Sequence, residues 1–408
     1  MTGSALDVDP VDGPRIDETL PVLDTLRLVG ALGVLTTHTA FWAGAYTEHG
    51  AWGSLLARLD VGVAIFFVLS GFLLSRPWLA RAHTGLPAPS VRRYLWKRLL
   101  RIFPVYLVTA VIALSFLRAN QDLGLGRWLA TLTLTDIYLR DRLPAGLTQM
   151  WSLATEVAFY LALPLLMLAA VGRRRRLAPA RVVAVLLGMC VASLLWLGTA
   201  SARVPGAGDR AVNEWLPAFL GWFAIGIGLA LAEQLHRTGT APTRLSRSIE
   251  RLAATPGSCW AVALGLLLIA ATPVAGPTLL LAATQSEAVI KHVLYGAVGG
   301  LLVFTGVFAS NAPGYARLMS HRALRHLGHI SYSVFCIHLP LLHLVMWTTG
   351  YQLFRGHGPQ IFALTLVLSL LAAEALYRFV ERPAMRLRNP GTGSTPATTT
   401  AETVSITR

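Results

Sequence analysis

Charged side chains are scarce in this sequence. They make up 13% of the 408 residues, about half the share found in soluble globular proteins. Apolar residues make up 54% of the chain, and they fall in blocks of about 20 residues, the length that crosses the hydrocarbon core of a bilayer. The composition therefore excludes a soluble Rossmann or barrel enzyme, a nucleic-acid-binding protein and a disordered chain. It predicts an all-α polytopic membrane protein.

Cysteines and the common ligand motifs are also sparse. The three cysteines, Cys190, Cys259 and Cys336, all lie inside apolar runs, so the sequence predicts neither a disulfide framework nor a cysteine metal cluster. The sequence also lacks a glycine-rich phosphate loop, a Gly-x-Ser-x-Gly elbow and the His, Cys and Asp spacing of a zinc site. We therefore expect no metal and no bound cofactor of these kinds.

Ten apolar runs are long enough to cross a membrane. They lie at 20–43, 60–79, 101–118, 150–171, 181–199, 213–233, 259–281, 287–309, 327–349 and 359–381. A further run at 127–138 has only about 12 residues and is too short to cross alone. With the N-terminus inside, arginines concentrate in the inner loops, as the positive-inside rule requires. The sequence thus predicts about ten transmembrane helices in the plasma membrane, with both termini cytoplasmic.

The two ends of the chain differ from the apolar middle. Residues 1–19 are acidic, the reverse of the basic start of a signal peptide, and we expect a cytoplasmic N-terminal tail. Residues 389–408 are rich in Thr, Ser, Gly and Pro and are predicted to be a disordered C-terminal tail. The transmembrane domain then occupies 20–388, and the net charge of +15 indicates basic loops facing anionic lipid.

The first span carries Arg27 and His38, eleven residues apart. Eleven residues make about three helical turns, which places both side chains on one face, about 16 Å apart along the axis. Arg27 is predicted to lie toward the cytoplasm and His38 toward the outer leaflet. Ionisable groups are costly in hydrocarbon, so each one in a span suggests a functional site. The structural alternative is that Arg27 reaches the inner interface and His38 makes a packing contact.

The span that starts near residue 150 carries a polar stripe. Trp151 and Ser152 open this span, and Ser152, Glu156 and Tyr160 follow one another at intervals of four residues, on one helix face. A carboxylate inside the membrane needs a cationic or hydrogen-bonding partner, and the predicted orientation places Glu156 near the depth of His38. The alternative is a structural pair that holds two helices together.

Two further spans carry candidate residues. Arg98 and Arg101 are three residues apart in a basic stretch at the inner face, and paired guanidinium groups suit phosphates. Contact with lipid headgroups is the alternative. Near the end of the chain, Ser331 and His338 lie seven residues apart on one face, with Tyr332 beside them. A lone histidine in a span is often a satisfied core residue, so these three are second-rank candidates.

Six short motifs follow one another along the chain. They are 23–27 with His38, 65–74, 98–101, 151–156, 328–333 with His338 and Pro340, and 381–383. Together they resemble the motifs of the acyltransferase-3 family of integral membrane O-acyltransferases. Two positions depart from the pattern, because Ala64 stands where many members have Asp and Gln149 where many have His. No role is transferred to these two residues. The chain resembles the short members, which lack a hydrolase-like C-terminal domain.

The resemblance implies an acyl transfer. Members take an acyl group, commonly acetyl, from cytosolic acyl-CoA, and place it on a hydroxyl of a carbohydrate, glycolipid or secondary metabolite. Arg98 and Arg101 would hold the donor phosphates, and Arg27 would stabilise the donor or a developing oxyanion. His38 would be the general base, as suits an imidazole with a pKa of about 6.5, and Glu156 would orient or polarise it.

Several alternatives stay open at this point. Transfer through an acyl-His38 intermediate is compatible with the same residues. Trp151, Ser152, Tyr160, Ser331, Tyr332 and His338 are candidates for acceptor contacts or for supporting roles. The acceptor is expected to be an envelope glycolipid, such as trehalose monomycolate, or a carbohydrate. From another class, a secondary transporter would use Arg27, His38 and Glu156 as a proton relay, although the sequence shows no inverted halves with paired broken helices.

Overall fold

The computed structural model describes residues 20–140, 142–172, 177–204, 211–278 and 283–388, and both predicted tails lie outside these ranges. The described residues form helices and connecting turns, without a β-strand. The helices are α1 Pro21–Ala43, α2 Ala45–Glu48, α3 Gly50–Ala57, α4 Gly62–His83, α5 Val91–Phe116, α6 Leu125–Leu132, α7 Asp136–Leu139, α8 Met150–Val171, α9 Pro179–Leu195, α10 Leu216–Arg237, α11 Thr243–Ala254, α12 Pro256–Ala270, α13 Gln285–Val307, α14 Pro313–Met319, α15 Arg322–Thr349, α16 Gly358–Leu376 and α17 Arg382–Arg386. This confirms the all-α class.

Each of the ten predicted spans overlaps one helix, but α12 ends at Ala270, well before the end of the predicted span 259–281. By length and composition, eight helical segments of the described chain are apolar enough to cross a membrane, and a ninth would be the pair α11 and α12, which is bent by 85°. Helix α1 does not meet the same criterion, because it carries Asp24, Arg27 and His38. Its 23 residues nevertheless give it a length of about 34 Å. The multi-pass bundle is thus confirmed, while the inside position of the termini stays a prediction.

The polar run at 127–138 forms two short helices, α6 and α7, that fold back on each other. Asp136 is buried and accepts a hydrogen bond of 2.6 Å from Thr131. It also lies 3.5 Å from Arg127 and 3.6 Å from Arg140. Helix α6 has only eight residues, about 12 Å of rise. This confirms that the segment does not cross a membrane by itself.

Helices α4 and α10 approach each other at backbone distance. A Cβ atom at Gly226 would overlap the carbonyl oxygen of Val68, and a Cβ atom at Gly71 would overlap that of Phe223. Small residues allow such approaches between membrane helices. The close contact fixes the position of α4, which supplies one wall of the site described below.

We therefore expect Gly226→Ala to destabilise the protein. The added methyl group has to push two backbones apart, and overpacking of this kind costs about 1–3 kcal/mol. Gly228→Ala is the matched control on the same helix, because a Cβ atom there would lie 3.5 Å from Leu186, an ordinary contact. Thermal unfolding in detergent measures both variants. Equal midpoints for the two would contradict the close approach.

Candidate active site

Eight of the predicted site residues line one cavity of about 120 Å³ among α1, α4, α5, α8 and α15. We call it the arginine cavity. These residues are Arg27, Arg98, Arg101, Ser152, Glu156, Tyr160, Ser331 and Tyr332. The spacing of polar residues within each apolar run was therefore a sound guide to the faces that point inward.

The three arginines of this cavity are bound differently. Arg27 forms an ion pair of 2.5 Å with Asp24 one turn before it, and Arg101 pairs with the buried Glu381. Within the described ranges, Arg98 has no carboxylate partner, and its Nε is buried without a hydrogen bond. Arg98 as a whole is half-buried, so its guanidinium lies within reach of a ligand and is not held in an ion pair with any described residue. Arg98 is consequently the residue best placed to bind an anion from outside the protein.

The hydroxyl groups at the wall of the arginine cavity bond mostly to the backbone. Ser152 donates to the carbonyl of Gln149 at 3.1 Å, and Ser331 donates to that of Gly328 at 2.7 Å. Tyr332 donates to the carbonyl of Ile102 at 2.7 Å. These side chains shape the cavity, while their own hydrogens are already engaged.

The structure does not bring Glu156 to His38, so the predicted depth of Glu156 was wrong. Glu156 lines the arginine cavity and accepts hydrogen bonds from Ser70 and, at 2.7 Å, from Tyr160. The reason is the start of α8, which lies inside the bundle, where Gln149 Nε2 donates to the carbonyl of Cys336 at 2.9 Å. Glu156 is seven residues further on, about 10 Å along the helix. A role for Glu156 in orienting His38 is thus not supported.

The partner of His38 is His338 on α15. The His38 Nδ1 and His338 Nε2 atoms lie 2.9 Å apart. His338 is fully buried, and its Nδ1 faces the carbonyl oxygens of Phe335 at 2.8 Å and Val334 at 3.2 Å. A carbonyl only accepts hydrogen bonds, so His338 carries its hydrogen on Nδ1 and accepts one from His38 at Nε2. This network assigns the hydrogen of His38 to Nδ1 and leaves its Nε2 with a free lone pair.

His38 opens into a second cavity of about 310 Å³, which we call the histidine cavity. Trp151 is the other predicted residue that lines it. Phe335 lines both cavities, and its ring packs edge to face on Phe66 at 5.9 Å. One aromatic side chain is therefore part of the wall of both the arginine cavity and the histidine cavity.

Several residues of the histidine cavity were not singled out from the sequence. They are Tyr46, Arg58, Asp60, Gln149, Lys291 and Phe335. Asp60 and Lys291 lie in or at the edge of apolar runs, so the rule that selected Arg27 and His38 would have found them. Phe335 is one apolar residue in an apolar helix, and no sequence signal marks it.

Comparisons with known proteins identify the family of this chain. A family model described as an acyltransferase domain, that of the acyltransferase-3 family, matches residues 20–378. The acyltransferase MdmB of Streptomyces mycarofaciens is 27% identical, over 97% of this chain and 99% of that protein. No solved structure matches significantly.

Two longer relatives match over most of this chain. The peptidoglycan O-acetyltransferase OatA of Listeria monocytogenes is 23% identical, over 89% of this chain and 55% of that protein. The putative peptidoglycan O-acetyltransferase YrhL of Bacillus subtilis is 26% identical, over 89% of this chain and 54% of that protein. The chain spans about half the length of these two relatives. Because the family model covers nearly the whole helical bundle, the chain belongs to the acyltransferase-3 family of membrane O-acyltransferases.

Proposed function

We propose that the protein transfers an acetyl group from cytosolic acyl-CoA to a hydroxyl of an envelope glycolipid or carbohydrate, at the plasma membrane. The observation that carries the proposal is that the arginine cavity and the histidine cavity share Phe335 as a wall. One cavity offers cations to an anionic donor, and the other offers an imidazole lone pair to a hydroxyl. The names of the related peptidoglycan O-acetyltransferases support acetyl as the transferred group.

The charges of the arginine cavity suit the donor. Arg98 can bind a phosphate through two parallel hydrogen bonds, while Arg27 and Arg101, already held by carboxylates, add positive potential. Arg27 and His38 are about 16 Å apart along α1. An extended pantetheine arm can bridge such a separation, whereas a small donor such as acetyl phosphate cannot. In this proposal Arg27 belongs to the donor site and does not stabilise the oxyanion at His38.

The chemistry centres on Nε2 of His38. As the acceptor oxygen attacks the thioester carbonyl, Nε2 takes the hydroxyl proton. The new C–O bond forms, the C–S bond breaks, and the thiolate leaves and is protonated to free CoA. Alternatively, Nε2 itself attacks the thioester, and the acceptor hydroxyl then attacks the acyl-histidine. Both routes consume one thioester and release one thiol.

The transporter alternative has lost its geometric support. A proton relay of Arg27, His38 and Glu156 needs consecutive groups within hydrogen-bonding reach of one another. His38 bonds to His338 instead, and Glu156 bonds to Ser70 and Tyr160. Family membership also favours the enzyme.

Thiol release tests the proposal. In lipid nanodiscs with acetyl-CoA and envelope glycolipids, the wild type is expected to release CoA over many turnovers only when an acceptor is present. Arg98→Met should raise the KM for acetyl-CoA about tenfold or more, since hydrogen bonds to charged groups contribute about 1.5–3 kcal/mol. The KM for the acceptor should stay the same.

Arg92→Met is the matched control, because Arg92 is exposed at the start of the same helix and does not line the cavity. It should behave as the wild type. Equal losses of donor and acceptor affinity in Arg98→Met would contradict the assignment of Arg98 to the donor site. Absence of thiol release with every acceptor would refute the transfer reaction.

A further inference from the structure

Four side chains of the histidine cavity have no part in the reaction proposed above. Asp60 comes from the short turn Arg58–Val61, Gln149 precedes α8, Trp151 lies in its first turn and Lys291 lies on α13. They surround the space into which His38 opens. Their chemistry indicates what the cavity binds.

Gln149 has a buried acceptor without a donor. Only 3% of the residue is exposed, and its Nε2 donates to the Cys336 carbonyl at 2.9 Å. Because a carbonyl cannot donate, this bond fixes which end of the amide is the oxygen. The Oε1 atom is buried and, among the described residues, has no hydrogen-bond partner. Buried acceptors of this kind are normally satisfied, so a donor from a bound ligand would complete the site.

Asp60 and Lys291 form a neutral pair at the same cavity. The Lys291 Nζ and Asp60 Oδ2 atoms are 2.8 Å apart, and the side chains are 30% and 37% exposed. Tyr295 donates to the other Asp60 oxygen. The pair offers a carboxylate acceptor and ammonium donors without a net charge. A hydroxyl group, which both donates and accepts, suits it better than an anion or a cation.

The remaining cation of the cavity is already used. Arg58 is buried, and its guanidinium donates to the carbonyls of Ala270 at 2.8 Å, Ala275 at 3.2 Å and Gly276 at 2.5 Å. Its Nε and Nη2 therefore hold the end of α12 and the turn after it, and with 3% of the residue exposed Arg58 presents little surface to a ligand. Trp151, which packs on Phe67 and Phe219, supplies an apolar wall.

We infer that Asp60, Gln149, Trp151 and Lys291 form the acceptor subsite, and that it holds one uncharged sugar ring. Gln149 accepts a hydrogen bond from one ring hydroxyl, the Asp60–Lys291 pair binds a second, and Trp151 covers the C–H face of the ring. A third hydroxyl then lies at Nε2 of His38. The volume of about 310 Å³ is sufficient for a sugar ring. This inference rests on the proposed function and narrows its acceptor to neutral sugars.

Three soluble sugar probes of different charge test the subsite. They are methyl glucoside, methyl glucosaminide and methyl glucuronide, each given to the full-length protein in nanodiscs with saturating acetyl-CoA. With the wild type, kcat/KM for O-acetylation of the glucoside, followed by product mass, should exceed that of both charged probes at least tenfold. Gln149→Met, of nearly equal size, should raise the KM for the glucoside about tenfold and leave the KM for acetyl-CoA unchanged.

Charge-changing variants should alter the preference among the three probes, which a purely structural role of these residues would leave unchanged. Lys291→Met leaves Asp60 unpaired and should shift the preference toward the cationic glucosaminide. Asp60→Asn leaves Lys291 unpaired and should shift it toward the anionic glucuronide. Unchanged preferences in both variants, or equal KM changes for donor and glucoside in Gln149→Met, would overturn the subsite.

Binding without the donor separates this inference from the proposed function. Equilibrium dialysis of labelled methyl glucoside against wild-type nanodiscs, in the absence of acyl-CoA, should show saturable binding that Gln149→Met weakens. Binding without any thiol release from acetyl-CoA would refute the transfer reaction and keep the subsite. Thiol release with a lipid acceptor, without glucoside binding, would refute the subsite and keep the transfer reaction.

Discussion

We expect His38→Ala to lose acyl transfer, with kcat falling by about 10²–10⁴-fold, the usual contribution of a positioned general base. The loss follows from the free lone pair on Nε2, the atom that faces the acceptor in the proposed reaction. Thiol release with acetyl-CoA and acceptor measures it. Near-normal turnover of this variant would remove His38 from the reaction.

The same experiment needs a control for folding and a variant of the neighbouring residue, His338. His38 is only partly buried, so His38→Ala should be expressed at the wild-type level. Its unfolding midpoint should fall by no more than the loss of one hydrogen bond explains. His338→Gln should be milder than His38→Ala, because His338 fixes the tautomer of His38 without touching the substrate. It should also change the pH profile of kcat, a readout that a packing defect would not produce.

A single-turnover experiment separates the two routes through His38. Labelled acetyl-CoA without an acceptor should label the wild type if an acyl-histidine forms, and it should leave the protein unlabelled if the hydroxyl attacks directly. His38→Ala is the blank for both. The geometry allows either route, because Nε2 with its lone pair is a base and a nucleophile.

The architecture was largely predictable from the sequence, and the site was predictable in parts. Long apolar runs specify membrane helices because a helix satisfies all its backbone hydrogen bonds within one segment in lipid, and each of the ten runs overlaps a helix. Polar residues within these runs likewise pointed to the inward faces. Each such inference depends on the chain itself and needs no knowledge of which helices meet.

The errors arose where depth and pairing depend on tertiary contacts. Glu156 was placed near His38 on the assumption that α8 starts at the outer surface, but the bond from Gln149 to Cys336 sets its start within the bundle. His38 and His338, 300 residues apart, were selected separately, and their bond is visible only in the fold. Arg98 and Arg101 looked equivalent, whereas Glu381 pairs with Arg101 and leaves Arg98 for an anion.

The second large effect that we expect concerns the ion pair between α4 and α10. Arg76 donates two hydrogen bonds to Glu233, from Nε at 3.1 Å and from Nη2 at 2.7 Å, and both side chains are buried. Removing one partner of a buried pair leaves an uncompensated charge, which costs about 3–5 kcal/mol. Glu233→Met should therefore lower the free energy of unfolding by about that amount.

The partner variants make this prediction specific. Arg76→Met should cost less than Glu233→Met, because Arg237 lies 3.6 Å from Glu233 and can partly neutralise it, whereas Arg76 loses its only carboxylate of the described chain. The double variant should lie closer to the wild type than the sum of the two single losses, as two apolar side chains often replace a buried pair at little cost. Unfolding in detergent, as a double-mutant cycle, measures the coupling. Additive losses would show that the pair is not coupled. Helix α4 would then depend on its glycine contact with α10 to hold Ser70 and Phe66 at the arginine cavity.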